Sequence, residues 1–273
     1  MTRASFLNCE NPLLVCMVQA DNPDRIKDLI DRSQDECSEA FGMQLCRLLP
    51  EYANEKTYKE LFAYAGNKPV YVTNYRHGLN QGKTDEEIAD GLLCFAECGA
   101  TLCDVIGDMF DKQPDELARD EGAIEKQVKL IHDLHARGAE VLMSSHVCKF
   151  TPAERVLEIA LEHQRRGADI CKIVTGAANM AEQMENLRII KMLSENLKIP
   201  FLFLSGGECR ISRRIGASLG NCMSLCVLEH DNFSTPAQPL LREMKELRNH
   251  TADFLSKEAK PLLKEMKELQ SLM

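Results

Sequence analysis

A histidine and a lysine are spaced so that they can meet in one cleft. The segment 141–174 has an apolar strand that ends at His146, an amphipathic helix, and a second apolar strand that carries Lys172. In a parallel strand–helix–strand unit of this length the strands lie side by side, and side chains near their carboxyl ends face one cleft. A lysine among Ile, Cys and Val loses hydration, which favours a neutral, nucleophilic amine. The pair therefore indicates an amine that adds to a carbonyl, beside a group that moves protons.

Groups that could hold an anion follow later strands. Gly206 and Gly207 precede a short helix that contains Arg213. Glycines let the backbone approach a ligand, and the amides that open a helix form, with an arginine, a site for a phosphate or carboxylate. Ser234 and Gln238 follow the last predicted strand and bring a hydroxyl and an amide to the same rim. We therefore expect a small anionic substrate.

Eight alternations of an apolar strand with a helix position these residues. The predicted strands cover residues 12–18, 40–45, 69–73, 100–106, 141–146, 170–174, 199–204 and 220–228. Strands that are apolar along their whole length are typical of a closed parallel barrel, because both faces of each strand are covered. We predict an α/β fold with a single (β/α)8 TIM-barrel catalytic domain over residues 1–250. A doubly wound open sheet is the alternative on pattern alone.

The tail contains the one internal repeat that we recognise. The sequence from Pro239 to Leu247 recurs, with conservative changes, from Pro261 to Leu269. This spacing corresponds to about six helical turns, which returns the repeat to the same helix face. We predict a final barrel helix followed by an amphipathic helical extension over 251–273. The alternative is that this extension docks on a second subunit and forms a homodimer.

Composition excludes several classes of partner. The 273 residues are 44% hydrophobic, enough for one large core, and carry a net charge of -9 without a basic block. No segment approaches 18 consecutive apolar residues, and the first ten residues lack the pattern of a secretory signal. We expect a cytoplasmic protein that binds neither nucleic acid nor a membrane. The 12 cysteines include no Cys-x-x-Cys pair and lie mostly in apolar runs, so we predict reduced thiols and no metal site.

Four ordered motifs resemble those of type I 3-dehydroquinate dehydratase, the Schiff-base enzyme of the shikimate pathway. They are His146 with Thr151-Pro152, Ile170-Cys-Lys172-Ile, Ser205 to Ser212-Arg213 with Gly216, and Ser234-Thr-Pro236-Ala-Gln238. The resemblance covers residues 13–247 and is strongest in the second half.

The resemblance implies a (β/α)8 barrel in which Lys172 forms an imine with the ring ketone of the substrate. It implies that His146 removes a proton from the carbon beside the imine and later protonates the departing hydroxyl. By similarity, Arg213 binds the substrate carboxylate with help from Gln238, and Ser234 closes from the last loop. An imine is an electron sink for the carbanion, so no metal or organic cofactor is expected.

The first half of the chain departs from the family pattern. After the second strand the family usually has Glu-x-Arg, whereas this chain has Gln44 and Cys46 at those positions. After the third strand an arginine is usually followed four residues later by a glutamate, whereas here Arg76 is followed by Asn80. The resemblance assigns Gln44, Arg76 and Asn80 to substrate binding. We expect Asn80 to orient His146 without offsetting its positive charge.

These observations predict a hydro-lyase that dehydrates a β-hydroxy ketone through an imine at Lys172. The leading substrate is 3-dehydroquinate, which would give 3-dehydroshikimate. Because the contacts to the ring hydroxyls are altered, another acidic β-hydroxy ketone is an alternative. A class I aldolase-type carbon–carbon lyase, with Arg213 binding a phosphate, is a second. A catalytically silent barrel that binds a metabolite is a third, from a different class of function.

Overall fold

The computed structural model describes residues 4–9 and 11–254. Within them, eight strands alternate with eight α-helices. The strands are β1 (Leu13–Met17), β2 (Ala40–Gln44), β3 (Val70–Thr73), β4 (Leu102–Ile106), β5 (Glu140–His146), β6 (Ile170–Gly176), β7 (Phe201–Gly206) and β8 (Met223–Cys226). The helices are α1 (Pro23–Asp35), α2 (Glu55–Tyr64), α3 (Asp85–Cys98), α4 (Glu121–Ala136), α5 (Ala153–Arg165), α6 (Met180–Asn196), α7 (Ser212–Leu219) and α8 (Leu241–Phe254).

The strand order shows a barrel. Parallel ladders join consecutive strands from β1 to β7, and β1 also pairs in parallel with β8. In a doubly wound open sheet the strands do not follow one another in sequence order, and the first strand does not pair with the last. The predicted (β/α)8 barrel is therefore confirmed, and the open sheet is excluded.

The seam between β7 and β8 is joined mainly by one side chain. The amide of Asn221 accepts a hydrogen bond from the backbone N–H of Phe203 and donates one to its carbonyl, both at 2.9 Å. The N–H of Cys222 donates to the carbonyl of Phe201, also at 2.9 Å. A buried asparagine thus supplies the pairing that a longer β8 would otherwise make.

Alternation along each strand separates the barrel interior from the shell under the helices. Ile170 and Val174 belong to the apolar cluster inside the barrel, whereas Cys171 and Ile173 pack against α5 and α6. Because successive side chains point to opposite faces, Lys172 lies on the inner face of β6 with Ile170 and Val174. Lys172 is the third of the seven residues of β6, and its long side chain reaches the cavity at the open end of the barrel.

Most helices begin directly at a capping residue. Asn22, Asn54, Thr84, Asp120 and Asn179 each accept a hydrogen bond from a backbone N–H in the first turn. Thr84 forms a capping box with Glu87. Because these caps fix where the helices start, the segments that follow the strands are held at the carboxyl-terminal face of the barrel, where barrel active sites form.

The last helix passes the predicted end of the barrel domain. α8 runs to Phe254, and the remainder of the predicted extension, with the second copy of the tail repeat, lies outside the described residues. Among the described helices, none has both the length and the apolar character needed to cross a membrane.

Candidate active site

A cavity of about 250 Å³ opens at the carboxyl ends of the strands. Five of the predicted site residues line it: Lys172, His146, Arg213, Gln238 and Gln44. They come from β2, β5, β6 and the segments after β7 and β8. The cavity therefore collects side chains that are distant in sequence, as the barrel topology requires.

Lys172 lies at the base of this cavity among polar groups. Its Nζ atom donates to the hydroxyl of Tyr71 at 3.0 Å, to the hydroxyl of Tyr75 at 2.8 Å and to Oδ2 of Asp104 at 3.1 Å. These bonds use all three protons of an ammonium group. Lys172 is buried, as expected for a lysine in this strand, but its amine contacts polar groups, because β4, β3 and the loop after β3 contribute the carboxylate of Asp104 and the hydroxyls of Tyr71 and Tyr75.

Asp104 is the buried counter-ion of Lys172. Burial by itself raises the pKa of this carboxyl, but the positive charges of Lys172 and His146 and hydrogen bonds from Ser144 and Tyr71 outweigh burial, and the pKa is lowered. Burial and the charge of Asp104 raise the pKa of both Tyr71 and Tyr75 well above 10. The cluster thus combines an ionised carboxylate with two neutral hydroxyl groups around the nitrogen of Lys172.

His146 is held by a glutamate from the loop after β4. Oε2 of Glu116 accepts from the backbone N–H of His146 at 2.6 Å and lies 2.9 Å from its Nδ1 atom. A proton on Nδ1 satisfies this contact, so Nε2 faces the cavity, 3.4 Å from the hydroxyl of Tyr75. Burial raises the pKa of Glu116, but its bonds to His146 outweigh this and the pKa is lowered. The carboxylate both orients the imidazole and can offset its positive charge.

Two arginines, Arg47 and Arg213, line the cavity. Nε of Arg213 donates to the carbonyl of Ser205 at 2.6 Å, and burial lowers the pKa of Arg213 to about 10. Nε of Arg47 donates to Oε1 of Gln44 at 2.8 Å. Among the described residues no carboxylate lies within 4.0 Å of either guanidinium. Both can therefore accept an anionic group of a ligand.

Sequence comparison identifies the family. Residues 101–253, more than half of the chain, match the family model of type I 3-dehydroquinase. The chain belongs to this family. Type I 3-dehydroquinases are hydro-lyases of the shikimate pathway, so the protein is a dehydratase, as predicted. No curated protein sequence matches the chain.

Solved structures of dehydroquinases share the fold. A type I 3-dehydroquinate dehydratase from Clostridium difficile, solved with covalent modified comenic acid, is 17% identical over 90% of this chain and 94% of its own, with a TM-score of 0.74. A 3-dehydroquinate dehydratase from Geobacillus kaustophilus is 14% identical over 92% and 94%, with a TM-score of 0.75. The enzyme from Enterococcus faecalis is 19% identical over 93% and 99%, with a TM-score of 0.69.

Asn80 does not have the position expected for this dehydroquinase. It ends a 3-10 turn, Gly78–Asn80, and its amide donates to Oδ1 of Asn74 at 2.6 Å and to the carbonyl of Tyr75 at 2.9 Å. The expectation that Asn80 orients His146 is therefore wrong, because the turn directs its side chain into the loop. Glu116, from another loop, occupies the position behind the histidine.

Arg76 is also directed away from the cavity. Its guanidinium forms ion pairs with Asp85 at 2.8 Å and with Asp108 at 2.7 Å. The hydrogen bonds that Arg76 donates to Asp85, and then those that it donates to Asp108, raise the pKa of Arg76 against the effect of burial. Arg76 is not among the residues that line the cavity in this structure, because two carboxylates already occupy its donors.

The loop after β8 presents other residues than predicted. The hydroxyl of Ser234 is paired with the backbone of Asp231, at 2.8 Å to the N–H and 3.1 Å to the carbonyl, so Ser234 does not line the cavity. Its neighbours Phe233 and Thr235 do. Oε1 of Gln238 accepts from the N–H of Thr235 at 2.8 Å, which holds that amide at the rim.

Four residues that contact Lys172 or His146 were not identified from the sequence. Asp104 and Tyr71 lie in strands that are otherwise mostly apolar. A charged residue such as Asp104, in a strand covered on both faces, indicates a functional site and could have been recognised in the sequence. Tyr75 and Glu116 lie in loops, where periodicity carries no information about direction.

Proposed function

We propose that this dehydroquinase-family protein eliminates water from a β-hydroxy ketone that carries a carboxylate, through an imine at Lys172. The observation that carries the proposal is that Lys172 and a histidine backed by a carboxylate line one cavity. Lys172 would supply the nitrogen, and Nε2 of His146 would carry the protons. Arg213 and Gln238 would bind the carboxylate at the opposite rim.

The steps follow from these roles. The amine of Lys172 adds to the ketone carbon, and the ketone oxygen leaves as water to give an iminium. His146 takes a proton from the adjacent carbon, and the electron pair moves to nitrogen to form an enamine. The enamine expels the β-hydroxyl group, which leaves as water with the proton from His146. Hydrolysis of the iminium then releases the unsaturated ketone and the free amine.

The leading substrate is 3-dehydroquinate, with 3-dehydroshikimate as product. Family membership and the unpaired guanidinium of Arg213 support this choice. The contacts to the remaining ring substituents differ from the family pattern, because Arg76 is occupied elsewhere. In their place Gln44, Arg47 and Gln19 form a hydrogen-bonded group at the cavity wall. Because these residues differ from the family pattern, a second candidate substrate is another β-hydroxy ketone with an acidic group.

Borohydride trapping followed by mass spectrometry tests the proposal. We expect 3-dehydroquinate to give a stable adduct on Lys172 of the wild-type protein and no adduct on Lys172→Ala. The matched control is Lys191→Ala, which removes a lysine of α6 paired with Glu195 on the surface and should be trapped as the wild type is.

Other outcomes separate the remaining candidates. Trapping only by a different acidic β-hydroxy ketone would retain the chemistry and replace the substrate. Trapping by phosphorylated keto-sugars, with carbon–carbon cleavage, would favour an aldolase-type lyase. A protein that no ketone traps would be a binding barrel, and the proposed reaction would be wrong.

A further inference from the structure

The hydroxyl of Tyr75 lies between the two groups that the proposed reaction uses. Its oxygen is 2.8 Å from Nζ of Lys172, 3.4 Å from Nε2 of His146 and 2.6 Å from Oδ2 of Asp104. The ring of Tyr75 also packs edge-on against the imidazole of His146, with centroids 5.1 Å apart. One hydroxyl group therefore connects the nucleophile to the acid–base residue.

Imine formation from an ammonium group requires two proton transfers. The nitrogen of Lys172 begins with three protons and keeps one in the iminium, so two must leave it. The ketone oxygen must gain two before it departs as water. Each transfer can be made by one group that gives a proton to the oxygen and receives a proton from the nitrogen. A phenol suits this role because its hydroxyl can both donate and accept a proton.

We propose, on the basis of the imine chemistry inferred above, that Tyr75 is a further catalytic residue that transfers these protons. In each transfer the O–H bond of Tyr75 breaks as its proton passes to the oxygen of the ketone or carbinolamine. A new O–H bond forms with a proton from the nitrogen of Lys172. After two transfers the carbon–oxygen bond breaks, water leaves, and Tyr75 is again a neutral phenol. No external oxidant or reductant is involved.

The surroundings of Tyr75 suit this task. Burial and the neighbouring charge of Asp104 keep the phenol protonated, as the raised pKa indicates. Asp104 accepts the hydroxyl proton in the resting state, so the oxygen lone pairs of Tyr75 face the N–H groups of Lys172. His146 lies on the open side and can exchange a proton with the same oxygen, which links imine formation to the later elimination step.

Tyr71 is a matched comparison within the same cluster. Its hydroxyl also accepts from Lys172 and also donates to Asp104. Unlike Tyr75, it is completely buried, and its hydroxyl interacts with Lys172, Asp104 and Tyr75, whereas within the described part of the chain it has no hydrogen bond to His146. Loss of the Tyr71 hydroxyl would disturb the ion pair to a similar degree, but it would not remove the link to His146.

The test compares Tyr75→Phe with Tyr71→Phe in a rapid-quench borohydride experiment that measures the rate of imine formation. We expect Tyr75→Phe to lose about a hundredfold in this rate, the lower end of what a positioned proton donor contributes. We expect Tyr71→Phe to lose clearly less. Thermal unfolding of both variants shows whether they fold. Equal losses in the two variants, or an unchanged rate in Tyr75→Phe, would overturn the proposal for Tyr75.

A second readout does not depend on the phenylalanine variants. Fluorotyrosine at position 75 keeps the ring and the hydroxyl but makes the hydroxyl more acidic, and it should change the rate of imine formation more than the same replacement at position 71 does. An effect at position 71 alone would overturn the assignment. If the wild type traps ketones but position 75 has no effect, only the role of Tyr75 fails. If the wild type traps no ketone, the proposed function itself fails.

Discussion

One oxygen of Glu116 contacts His146 twice, at 2.6 Å from its backbone N–H and at 2.9 Å from Nδ1. Glu116 has a left-handed backbone, with φ of 47°, and its carbonyl accepts from the hydroxyl of Ser145 at 2.7 Å. A non-glycine residue in this conformation costs energy that the surrounding contacts must offset. The loop after β4 is therefore shaped to bring this carboxylate behind the histidine.

Glu116→Gln should slow elimination more than imine formation. The amide keeps the size of the side chain, but it cannot offset the positive charge of His146. We expect kcat to fall by about ten- to a hundredfold, with little change in borohydride trapping at Lys172. Glu121→Gln, at the exposed start of α4, is the control for the removal of a charge. Wild-type turnover in Glu116→Gln would contradict the support assigned to this carboxylate.

Asp104→Asn should destabilise the protein. The substitution leaves the ammonium of Lys172 in a site where its side chain is only 6% exposed. Removing one partner of such a pair costs about 3–5 kcal/mol in the free energy of unfolding. The double variant Asp104→Asn/Lys172→Met should regain a substantial part of the lost free energy of unfolding, because no unpaired charge then remains buried at this position. Chemical denaturation measures the free energy of unfolding of Asp104→Asn, Lys172→Met and the double variant. If the losses of the two single variants add up to the loss of the double variant, the two residues are not energetically coupled.

His163 should make stability depend on pH. Burial first, and then the charge of Arg166, lowers its pKa from 6.5 to about 3. Below pH 6.5 the unfolded chain takes up a proton that the folded protein excludes. This contribution to stability is therefore complete above pH 6.5 and is lost as the pH falls towards 3, by at most about 1.4 kcal/mol per pH unit. His163→Gln should flatten the slope, whereas His132→Gln, with a side chain 80% exposed, should not.

Substitution of Arg213 should weaken substrate binding, whereas substitution of Arg76 should weaken the stability of the fold. Because the guanidinium of Arg213 faces the cavity without a carboxylate partner, Arg213→Gln should raise KM by about a hundredfold and leave the melting temperature nearly unchanged. Arg76→Gln should leave KM near the wild-type value. It should lower the free energy of unfolding by about 1–3 kcal/mol, because Asp108 is buried and loses its partner. Steady-state kinetics and denaturation distinguish the two, and the reverse pattern would restore Arg76 to the substrate site.

The fold was predictable because it depends on regular patterns. The eight apolar strands, with His146 at the end of one and Lys172 within the next, are enough to specify a barrel with one cleft. Arg213 and Gln238 follow by the same rule, since the segments after β7 and β8 open at the same face. These residues could be placed without knowing any loop conformation.

The immediate surroundings of the catalytic pair depend on geometry that periodicity does not describe. Spacing in the sequence points to Asn80 as the partner of His146, but a 3-10 turn redirects Asn80, and Glu116 arrives from a loop 30 residues before the histidine. Tyr75 and Arg76 are adjacent, yet one faces Lys172 and the other faces Asp85 and Asp108. Such outcomes are decided by loop packing and by competition for ion-pair partners.

The side chains of the cavity come from two different parts of the barrel, and this arrangement bears on how the protein can evolve. The groups around the nitrogen of Lys172 come from β3 to β6 and their loops, whereas Arg47, Arg213 and Gln238 come from the segments after β2, β7 and β8. With the roles proposed above, reaction and recognition occupy separate sectors of one ring. Substitutions in the recognition sector can change which molecule is accepted while the sector around Lys172 is inherited intact, so new substrates can be acquired without reinventing the reaction.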